Sequence, residues 1–320
     1  MSEVAVIGAG AWGCALAVQA ARAGRSVVLW ARDPARAAEM QAGRVAPRLP
    51  GVTLPDGVTV TGVLPAAAIT LLAVPLQHMR AVVSGLPGDG PLVACAKGVE
   101  TGTLLLPLEV LAEVLPGRAA AVLSGPNFAH EVARGMPAAA VVASAREEVR
   151  AGVIAALATP AFRLYGNDDP IGAQVGGAAK NVVAIAAGVV VGAGLGENAR
   201  AALVTRGLVE IGRLALALGG RAETVAGLSG LGDLLLTCTG TSSRNFSLGF
   251  ELGHGHALAD VLAGRSAVTE GVATAPALAA RARAAGVAMP IVEAVASVMR
   301  GARDVRGAIA DLLARPLRNE

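Results

Sequence analysis

Two lysines stand out in this chain because arginine supplies almost every other positive charge. Of the 27 lysine and arginine residues, only Lys97 and Lys180 are lysine. Arginine keeps its proton inside proteins, whereas a lysine removed from water can release its proton near neutral pH. The two lysines therefore mark positions where proton transfer or a compact positive charge is needed.

Lys180 lies beside Asn181 in a small and apolar helical run that extends from residue 174 to residue 188. Burying an ammonium group without a partner is costly, so this lysine is expected to meet a carboxylate or to act on a substrate. Asp233, which follows a glycine and precedes apolar residues, is the natural partner. The alternative is a buried ion pair that only fixes packing.

A glycine-rich turn at the start of the chain predicts a dinucleotide site. Residues 4–7 read as a buried strand, and the turn that follows leads through a helix to a second strand at residues 26–30. Gly8 permits the tight turn, Gly10 lets a pyrophosphate approach the backbone, and Gly13 lets the helix pack on its strand. The alternative is a glycine turn with a structural role only.

The end of the second strand bears on the choice between NAD and NADP. An acidic residue there would bond to the ribose hydroxyls, whereas a basic residue would meet a 2′-phosphate. Arg32 occupies this place, with Asp33 next to it and Arg48 in the polar loop that follows. The pattern favours NADP and leaves NAD open. Arg48 is either a cofactor contact or a solvated charge.

Further strands are predicted at residues 69–74, 92–96 and 120–124, with helices between them, as in an open parallel sheet. Ligands of such sheets lie at the carboxyl ends of the strands. Lys97 follows one strand end, and the polar stretch 124–131 follows another. Both groups are therefore expected near the glycine loop.

The stretch 124–131 also predicts an anion site. Pro126 is expected to begin a helix, which would leave backbone N–H groups near Gly125 and Asn127 for an anionic ligand. His130 is interpreted as a structural residue, because no orienting partner is evident for it.

Strand patterns fade near residue 170, where a domain boundary is predicted. The fold class is α/β, with a doubly wound Rossmann sheet domain over residues 1–170 and an all-helical substrate domain over residues 171–320. The small face formed by residues 176–179 is expected to pack against the nucleotide domain, with the site between the domains.

Ser243, Arg244 and Asn245 stand where a helix is predicted to begin. A hydroxyl, a guanidinium, an amide and open helix N–H groups together suit a phosphoryl group. The alternative is an ordinary helix cap, with Ser242 or Ser243 capping and Arg244 solvated.

Composition excludes several other classes. The net charge is +3 with basic residues spread along the chain, and aromatic residues make up 2%, which argues against nucleic acid as a partner. Cys14, Cys95 and Cys238 lie far apart without metal-ligand spacing, as expected of reduced thiols in a cytoplasmic protein, and no metal site is predicted. The uncharged run at residues 181–196 is short for a membrane span, and no signal sequence is evident.

The polar clusters, taken in order, resemble the bacterial NAD(P)-dependent glycerol-3-phosphate dehydrogenase family over nearly the whole chain. The resemblance rests on Gly8-x-Gly-x-Trp-Gly13, Lys97-Gly98, Ser124-Gly-Pro-Asn-Phe-Ala129, Lys180-Asn181-Val-x-Ala-Ile-Ala-Ala-Gly188, Gly232-Asp-Leu-x-x-Thr-Cys238, Ser243-Arg-Asn245 and Glu270-Gly271. It implies a homodimer that interconverts dihydroxyacetone phosphate and sn-glycerol 3-phosphate for glycerophospholipid synthesis. Asn127 departs from the serine or threonine often found there, and Arg48 departs from an aromatic residue.

The resemblance also implies roles for single residues. Lys180 resembles the general acid/base, and Lys97 and Asp233 complete the catalytic group. Substrate contacts are expected at Lys97, Gly125, Asn127, Lys180, Asn181, Asp233, Thr237, Ser243, Arg244 and Asn245. Cofactor contacts are expected at Gly8, Gly10 and Gly13 of the loop, at Arg48 and, by resemblance, at Ala11, Trp12, Arg32, Lys97, Ala129, Arg244, Val268 and Glu270.

Two rival functions fit parts of the pattern. One is a two-domain dehydrogenase that acts on a hydroxy acid through an equivalent lysine, which would need carboxylate recognition in place of the group at residues 243–245. The other is a redox sensor that binds the dinucleotide without catalysis, which would not need the two retained lysines.

Overall fold

Eight strands form one sheet in the first half of the chain. The computed structural model describes residues 2–265 and 268–316. The strands are β1 Ser2–Ile7, β2 Val27–Trp30, β3 Val58–Thr61, β4 Ala67–Leu72, β5 Leu92–Ala94, β6 Ala120–Ser124, β7 Ala138–Ala143 and β8 Phe162–Asn167. Their order is β3-β2-β1-β4-β5-β6-β7-β8, and all neighbours are parallel except β6 and β7. The first six strands follow the Rossmann order, in which the chain turns back at β1 to place its later strands on the other side, beginning with β4.

Helices connect the strands and continue alone through the second half. In the first half they are α1 Ala11–Arg22, α2 Pro34–Gly43, α3 Leu76–Val83, α4 Pro107–Val114, α5 Ala129–Arg134 and α6 Glu147–Leu157. After them come α7 Pro170–Gly192, α8 Glu197–Ala217, α9 Ala222–Ala226, α10 Asp233–Cys238, α11 Arg244–Gly253, α12 Leu258–Ala263, α13 Glu270–Ala284, α14 Pro290–Met299 and α15 Val305–Leu313. A π-helical turn, Leu228–Gly232, precedes α10. The predicted α/β fold, a Rossmann sheet followed by helices, is confirmed.

The chain divides into two compact units. The sheet unit contains Met1–Lys97 and Leu106–Ala173, and the helical unit contains Gly98–Leu105 and Gln174–Glu320. The short segment 98–105 therefore belongs with the helical unit, although β5 precedes it and α4 of the sheet unit follows it in the sequence. Lys97 stands at this crossing of the chain from one unit to the other.

Small aliphatic side chains fill the core of the sheet unit. Leu16 of α1 and the strand residues Leu29, Leu71 and Leu123 are almost fully buried. Each such side chain contributes about 1.5–3 kcal/mol when it leaves water. The packed core fixes the strand ends, and with them the loops that carry the candidate ligand contacts.

The three cysteines are free and buried. Burial raises the pKa of the Cys14 thiol to about 11, that of Cys95 to about 12 and that of Cys238 to about 12. At neutral pH these groups are therefore thiols rather than thiolates, and they act as small apolar side chains.

Helix α7 is the central element of the helical unit. Among the described residues it is the one helix long and apolar enough to cross a membrane, and 83% of its apolar window is buried inside the protein, as in a core helix. A Cβ on Gly188 would lie 2.1 Å from the Phe246 carbonyl oxygen, and one on Gly192 would lie 2.1 Å from the Phe250 oxygen. Glycine at both positions lets the α11 backbone lie directly on α7.

Candidate active site

Lys180 is buried in the helical unit and forms an ion pair. Its Nζ donates to Asp233 Oδ1 at 2.7 Å and to Thr237 Oγ1 at 2.8 Å. Lys180 is 8% exposed and Asp233 is 1% exposed. The Thr237 hydroxyl donates its own proton to the Asp233 carbonyl oxygen at 2.6 Å, so its lone pairs face Nζ. The predicted pairing of Lys180 with Asp233 is therefore confirmed, with Lys180 as the hydrogen-bond donor.

Close backbone packing brings the two partners together. A Cβ on Gly176 of α7 would lie 2.7 Å from the Ser229 carbonyl oxygen, and one on Gly230 would lie 1.9 Å from the Val225 oxygen. Gly176 lets the π-helical turn lie against α7 one helical turn before Lys180, and Gly230 lets the same turn lie against α9. The turn then delivers Asp233 at the start of α10. The small face that was expected against the nucleotide domain is, at Gly176, used inside the helical unit instead.

Asn181 lies in a second buried polar group. Asn245 Nδ2 donates to Asn181 Oδ1 at 2.8 Å, and the Gly271 amide donates to Asn245 Oδ1 at 3.0 Å. The group joins α7, α11 and the first turn of α13. Asn181 and Asn245, predicted as substrate contacts, are thus brought together, whereas their contact with a ligand stays a prediction.

Residues 243–245 stand at the start of α11, as predicted, with Ser243 as the helix cap that the sequence offered as an alternative, whereas their contact with a phosphate stays a prediction. Ser243 is the N-cap residue, and its hydroxyl accepts from the Phe246 amide at 3.2 Å. Arg244 is exposed, and its guanidinium donates to the Val268 carbonyl oxygen at 2.6 Å. A cap of this kind leaves the Ser243 proton and the rest of the guanidinium able to meet an anion.

The glycine loop of the sheet unit has the form that a dinucleotide requires. Gly8 has φ of +115°, which only glycine adopts without strain. A Cβ on Gly13 would lie 1.8 Å from the Gly8 carbonyl oxygen, whereas one on Gly10 would meet no atom within 4 Å. Gly10 is also the N-cap of α1 and has no side chain to cover the first amides. Ala11 and Trp12 are half-buried beside it. The loop therefore fits a pyrophosphate.

The charged residues after β2 differ in their hydrogen bonds and exposure. Asp33 caps α2, because its Oδ1 accepts from the Ala35 amide at 3.0 Å and from the Arg36 amide at 3.4 Å. Arg32 and Arg48 are exposed. One oxygen of the Asp33 carboxylate is thus used as a helix cap, and the exposed Arg32 guanidinium lies next to it in the chain.

Lys97 and the loop after β6 lie together in the sheet unit. Lys97 Nζ donates to the Gly125 carbonyl oxygen at 3.2 Å, which confirms that these two strand ends are neighbours. Asn127 Nδ2 donates to the Ala139 carbonyl oxygen at 3.2 Å. Its Oδ1 is buried and has no hydrogen-bond partner in the described part of the chain.

The prediction that Pro126 begins a helix is wrong. Helix α5 begins at Ala129 with Phe128 as its N-cap, and Pro126 lies in the preceding bend. The reason is local, since Gly125 has φ of +150° and redirects the chain so that three further residues precede the helix. His130 is partly exposed and stacks on Phe128 with a ring separation of 5.7 Å, as a structural residue would.

Val268 and Glu270 flank the start of α13. Val268 is half exposed and accepts from Arg244, and Glu270 is the first residue of the helix. Between them, Thr269 is the N-cap residue and is 7% exposed. Within residues 2–265 and 268–316, no cluster of three or more His, Cys, Asp or Glu side chains could hold a metal ion.

Sequence reasoning missed two contributors. The first is the Gly271 amide, which directs the asparagine pair, and the second is the π-helical turn that carries Asp233. Glu270-Gly271 is a visible motif, but a backbone donor has no signature in the sequence. The glycines at positions 227, 230 and 232 were the available signal for an irregular turn.

Comparison with known proteins identifies relatives of both halves. Residues 3–150 match the model of the NAD-dependent glycerol-3-phosphate dehydrogenase N-terminus, and residues 169–310 match that of its C-terminus. The chain is 57% identical over 319 residues to glycerol-3-phosphate dehydrogenase [NAD(P)+] of Acidiphilium cryptum, covering 99% of this chain and 98% of the relative.

The same name belongs to a Gluconobacter oxydans relative that is 54% identical over 319 residues, which are 98% of this chain and 97% of the relative. Among solved structures, glycerol-3-phosphate dehydrogenase from Coxiella burnetii superposes with a TM-score of 0.93 at 36% identity, covering 98% of this chain and 99% of that one.

Proposed function

The chain belongs to the NAD-dependent glycerol-3-phosphate dehydrogenase family. From that premise we propose which of its residues act in the reduction of dihydroxyacetone phosphate to glycerol 3-phosphate. Its relatives over the full length carry the name of an NAD(P)-dependent enzyme. The observation that carries the proposal is the buried Lys180, held as a donor by Asp233 and Thr237. Lys180 is the general acid in the direction of reduction and the general base in the reverse direction.

Lys180 acts on the carbonyl oxygen of the substrate. NADPH or NADH, held by the glycine loop, would supply hydride to the carbonyl carbon, and the oxygen of the substrate would then carry negative charge. The Lys180 ammonium stabilises that charge and transfers a proton from Nζ to the oxygen. Asp233 and Thr237 keep Nζ in place throughout, so that little reorganisation accompanies the transfer.

The sheet unit holds the cofactor. Gly8, Gly10 and Gly13 shape the loop for the pyrophosphate, with Ala11 and Trp12 in the first turn of α1 beside it. The open face at Gly10 and the tight packing of Gly13 support this assignment. We assign the 2′-phosphate of NADP to Arg32, because the neighbouring Asp33 is used as a helix cap. Arg48, Lys97, Ala129, Arg244, Val268 and Glu270 remain proposed cofactor contacts.

The substrate phosphate is assigned to the start of α11. Arg244 supplies a guanidinium, Ser243 a hydroxyl proton, and the first turn of the helix its positive end. Lys97 provides a second positive charge for the substrate, and the remaining contacts assigned to it are Gly125, Asn127, Asn181, Asp233, Thr237 and Asn245. Phosphate recognition separates this function from that of a hydroxy acid dehydrogenase, which would need a carboxylate site.

The cellular setting belongs to the same proposal. Three buried thiols without a disulfide fit a reducing compartment, which supports the cytoplasm. We propose a homodimer on the family resemblance, and a supply of glycerol 3-phosphate to glycerophospholipid synthesis on the chemistry of the product.

A direct assay tests the proposed function. Loss of absorbance at 340 nm from NADPH, and separately from NADH, is followed with dihydroxyacetone phosphate and with unphosphorylated 2-keto acids. The proposal expects oxidation with the triose phosphate and little with the keto acids. Turnover of a keto acid alone would identify a hydroxy acid dehydrogenase, and cofactor binding without any turnover would identify a sensor.

A further inference from the structure

Two arginines of the helical unit each bond to the backbone of the segment that carries the other. Arg244, the first residue of α11, donates from Nη1 to the Val268 carbonyl oxygen at 2.6 Å. Arg265, which follows α12 in the chain, donates from Nη1 to the Arg244 carbonyl oxygen at 2.9 Å. The start of α11 and the connection between α12 and α13 are therefore joined twice, once from each side.

Arg265 also holds the next turn of α11. Its Nη2 donates to Ser247 Oγ at 2.9 Å, and the Ser247 amide donates to the Ser243 carbonyl oxygen at 2.9 Å. A guanidinium is a rigid planar fork, so contacts from both Nη1 and Nη2 fix its plane. Arg265 is half-buried and thereby braces the part of α11 to which the substrate phosphate is assigned.

The two guanidinium groups are close enough for their charges to interact. Burial lowers the pKa of the Arg265 guanidinium below its ordinary value, Glu251 opposes this effect, and the charge of Arg244 adds to it. Like charges held near each other repel, and an anion bound beside them offsets that repulsion. The arrangement therefore favours a ligand with a strong negative charge at the start of α11.

The contact with Val268 determines which donors of Arg244 are available to that ligand. Nη1 is bonded to the carbonyl oxygen, and the guanidinium makes no other hydrogen bond within the described part of the chain. Nε and Nη2 are therefore free to bind phosphate oxygens. Their direction depends on the position of the Arg244 backbone, which Arg265 holds, and on the position of the Val268 carbonyl group.

We propose that Arg265 is a positioning residue for Arg244, which fixes the start of α11 so that the Arg244 guanidinium meets the substrate phosphate in one orientation. The proposal rests on the proposed function. It adds to phosphate recognition a residue that lies outside the group at residues 243–245. The alternative is that Arg265 only stabilises the fold, and the two roles differ in their effect on substrates with and without a phosphate.

A comparison of two substrates at saturating NADPH tests the proposal. Arg265→Ala should lower kcat/KM for dihydroxyacetone phosphate by about 10-fold, since a displaced charged group loses much of its contact. For dihydroxyacetone, which has no phosphate, kcat/KM should stay within about twofold of that of the unaltered protein. Equal decreases with both substrates would overturn the proposal, because they would show a general effect on the fold.

A double-mutant cycle tests whether Arg265 acts through Arg244. In the variant Arg244→Ala/Arg265→Ala, kcat/KM for dihydroxyacetone phosphate should lie within about threefold of that of Arg244→Ala alone. Losses that multiply would overturn the proposal, because they would mean that the two arginines act independently. Arg283→Ala, on the exposed end of α13, is the matched control for the loss of an arginine and should leave kcat/KM unchanged.

Two milder variants separate position from charge and keep the test open if Arg265→Ala does not fold. Arg265→Lys keeps the charge but lacks the planar fork, so it should recover no more than about threefold of the loss. Full recovery by lysine would overturn the positioning role. Ser247→Ala removes one partner of the fork and should lower kcat/KM by about threefold for the phosphorylated substrate alone.

The failure of this proposal is distinguishable from that of the proposed function. An unchanged kcat/KM of Arg265→Ala for dihydroxyacetone phosphate, with the unaltered protein active, would refute the positioning role alone. Absence of turnover of dihydroxyacetone phosphate in the unaltered protein would instead refute the proposed function.

Discussion

Lys180 Nζ lies 2.7 Å from Asp233 Oδ1, although 53 residues separate the two in the sequence. Both groups are buried, so the pair has lost most of its hydration. Such a pair contributes little net stability compared with apolar residues, but removal of one partner leaves a buried charge without compensation. Mutation can therefore separate the contribution of this ion pair to the stability of the protein from its role in proton transfer.

Asp233→Asn should destabilise the protein by about 3–5 kcal/mol, since the amide cannot balance the buried ammonium. Urea denaturation followed by circular dichroism measures the change. The double variant Lys180→Met/Asp233→Leu removes both charges and should recover much of the loss. Asp260→Asn, on exposed α12, is the matched control and should change stability by less than about 0.5 kcal/mol. A single variant as stable as this control would show that the pair is not energetically coupled.

Arg244→Ala should act chiefly through the substrate phosphate when the cofactor is saturating. Loss of a charged contact worth about 3 kcal/mol corresponds to a decrease of roughly 10²-fold in kcat/KM for dihydroxyacetone phosphate. For dihydroxyacetone, which has no phosphate, the value should hardly change. Arg300→Ala removes an exposed arginine elsewhere and serves as the control. Equal decreases with both substrates would place the phosphate site away from Arg244.

Arg32→Ala should weaken NADPH binding by about 1–3 kcal/mol and NADH binding much less, because only NADPH carries the 2′-phosphate. Paired fluorescence titrations with the two cofactors measure the difference. Arg36→Ala, on the α2 helix that follows, removes the same charge nearby and should affect both cofactors little. If Arg32→Ala weakens both equally, the guanidinium supports the adenine or the loop instead.

Glu210 gives the helical unit a dependence on pH. This buried carboxyl accepts from the Ile291 amide at 2.8 Å and from the Val292 amide at 3.3 Å, at the start of α14. Burial, aided by Glu293, raises the pKa of Glu210 to about 7 from 4.5, against the effect of the two amides and Arg213.

Because the folded pKa is raised, this group contributes stability that is fully present below pH 4.5 and is lost as pH rises to about 7. Glu210→Gln, which stays neutral, should remove that dependence, which amounts to about 3 kcal/mol. The free energy of unfolding, measured between pH 4.5 and 8 for both proteins, tests this. Exposed Glu223→Gln is the control. Parallel curves for Glu210→Gln and the unaltered protein would contradict the assignment.

The sequence predicted the elements whose pattern is local. The glycine turn, strands β1, β2, β4, β5 and β6, and the helix start at Ser243 all follow from apolar runs and turn residues. Strand β7 was not predicted, because its alanine-rich sequence is equally typical of a helix. Its antiparallel pairing with β6 depends on a partner far along the chain, which a local pattern does not reveal.

The candidate site was predictable in its residue types and less so in its contacts. Lys180 and Asp233 were paired from the cost of burying a charge, and the structure confirms the pair. The link from Asn181 through Asn245 to Gly271 was not predicted, since it needs three helices to meet at one point. Gly176 packs against the π-helical turn of its own unit, a contact that the sequence did not predict.

The turnover number of Lys180→Arg tests the central claim most directly. Arginine preserves the positive charge beside Asp233 but cannot release its proton. With saturating dihydroxyacetone phosphate and NADPH, the variant should bind NADPH normally and lose kcat by about 10²- to 10⁴-fold, the usual contribution of a general acid. A kcat within a few-fold of that of the unaltered protein would contradict the role of Lys180 as the acid/base and leave it as a member of a structural ion pair.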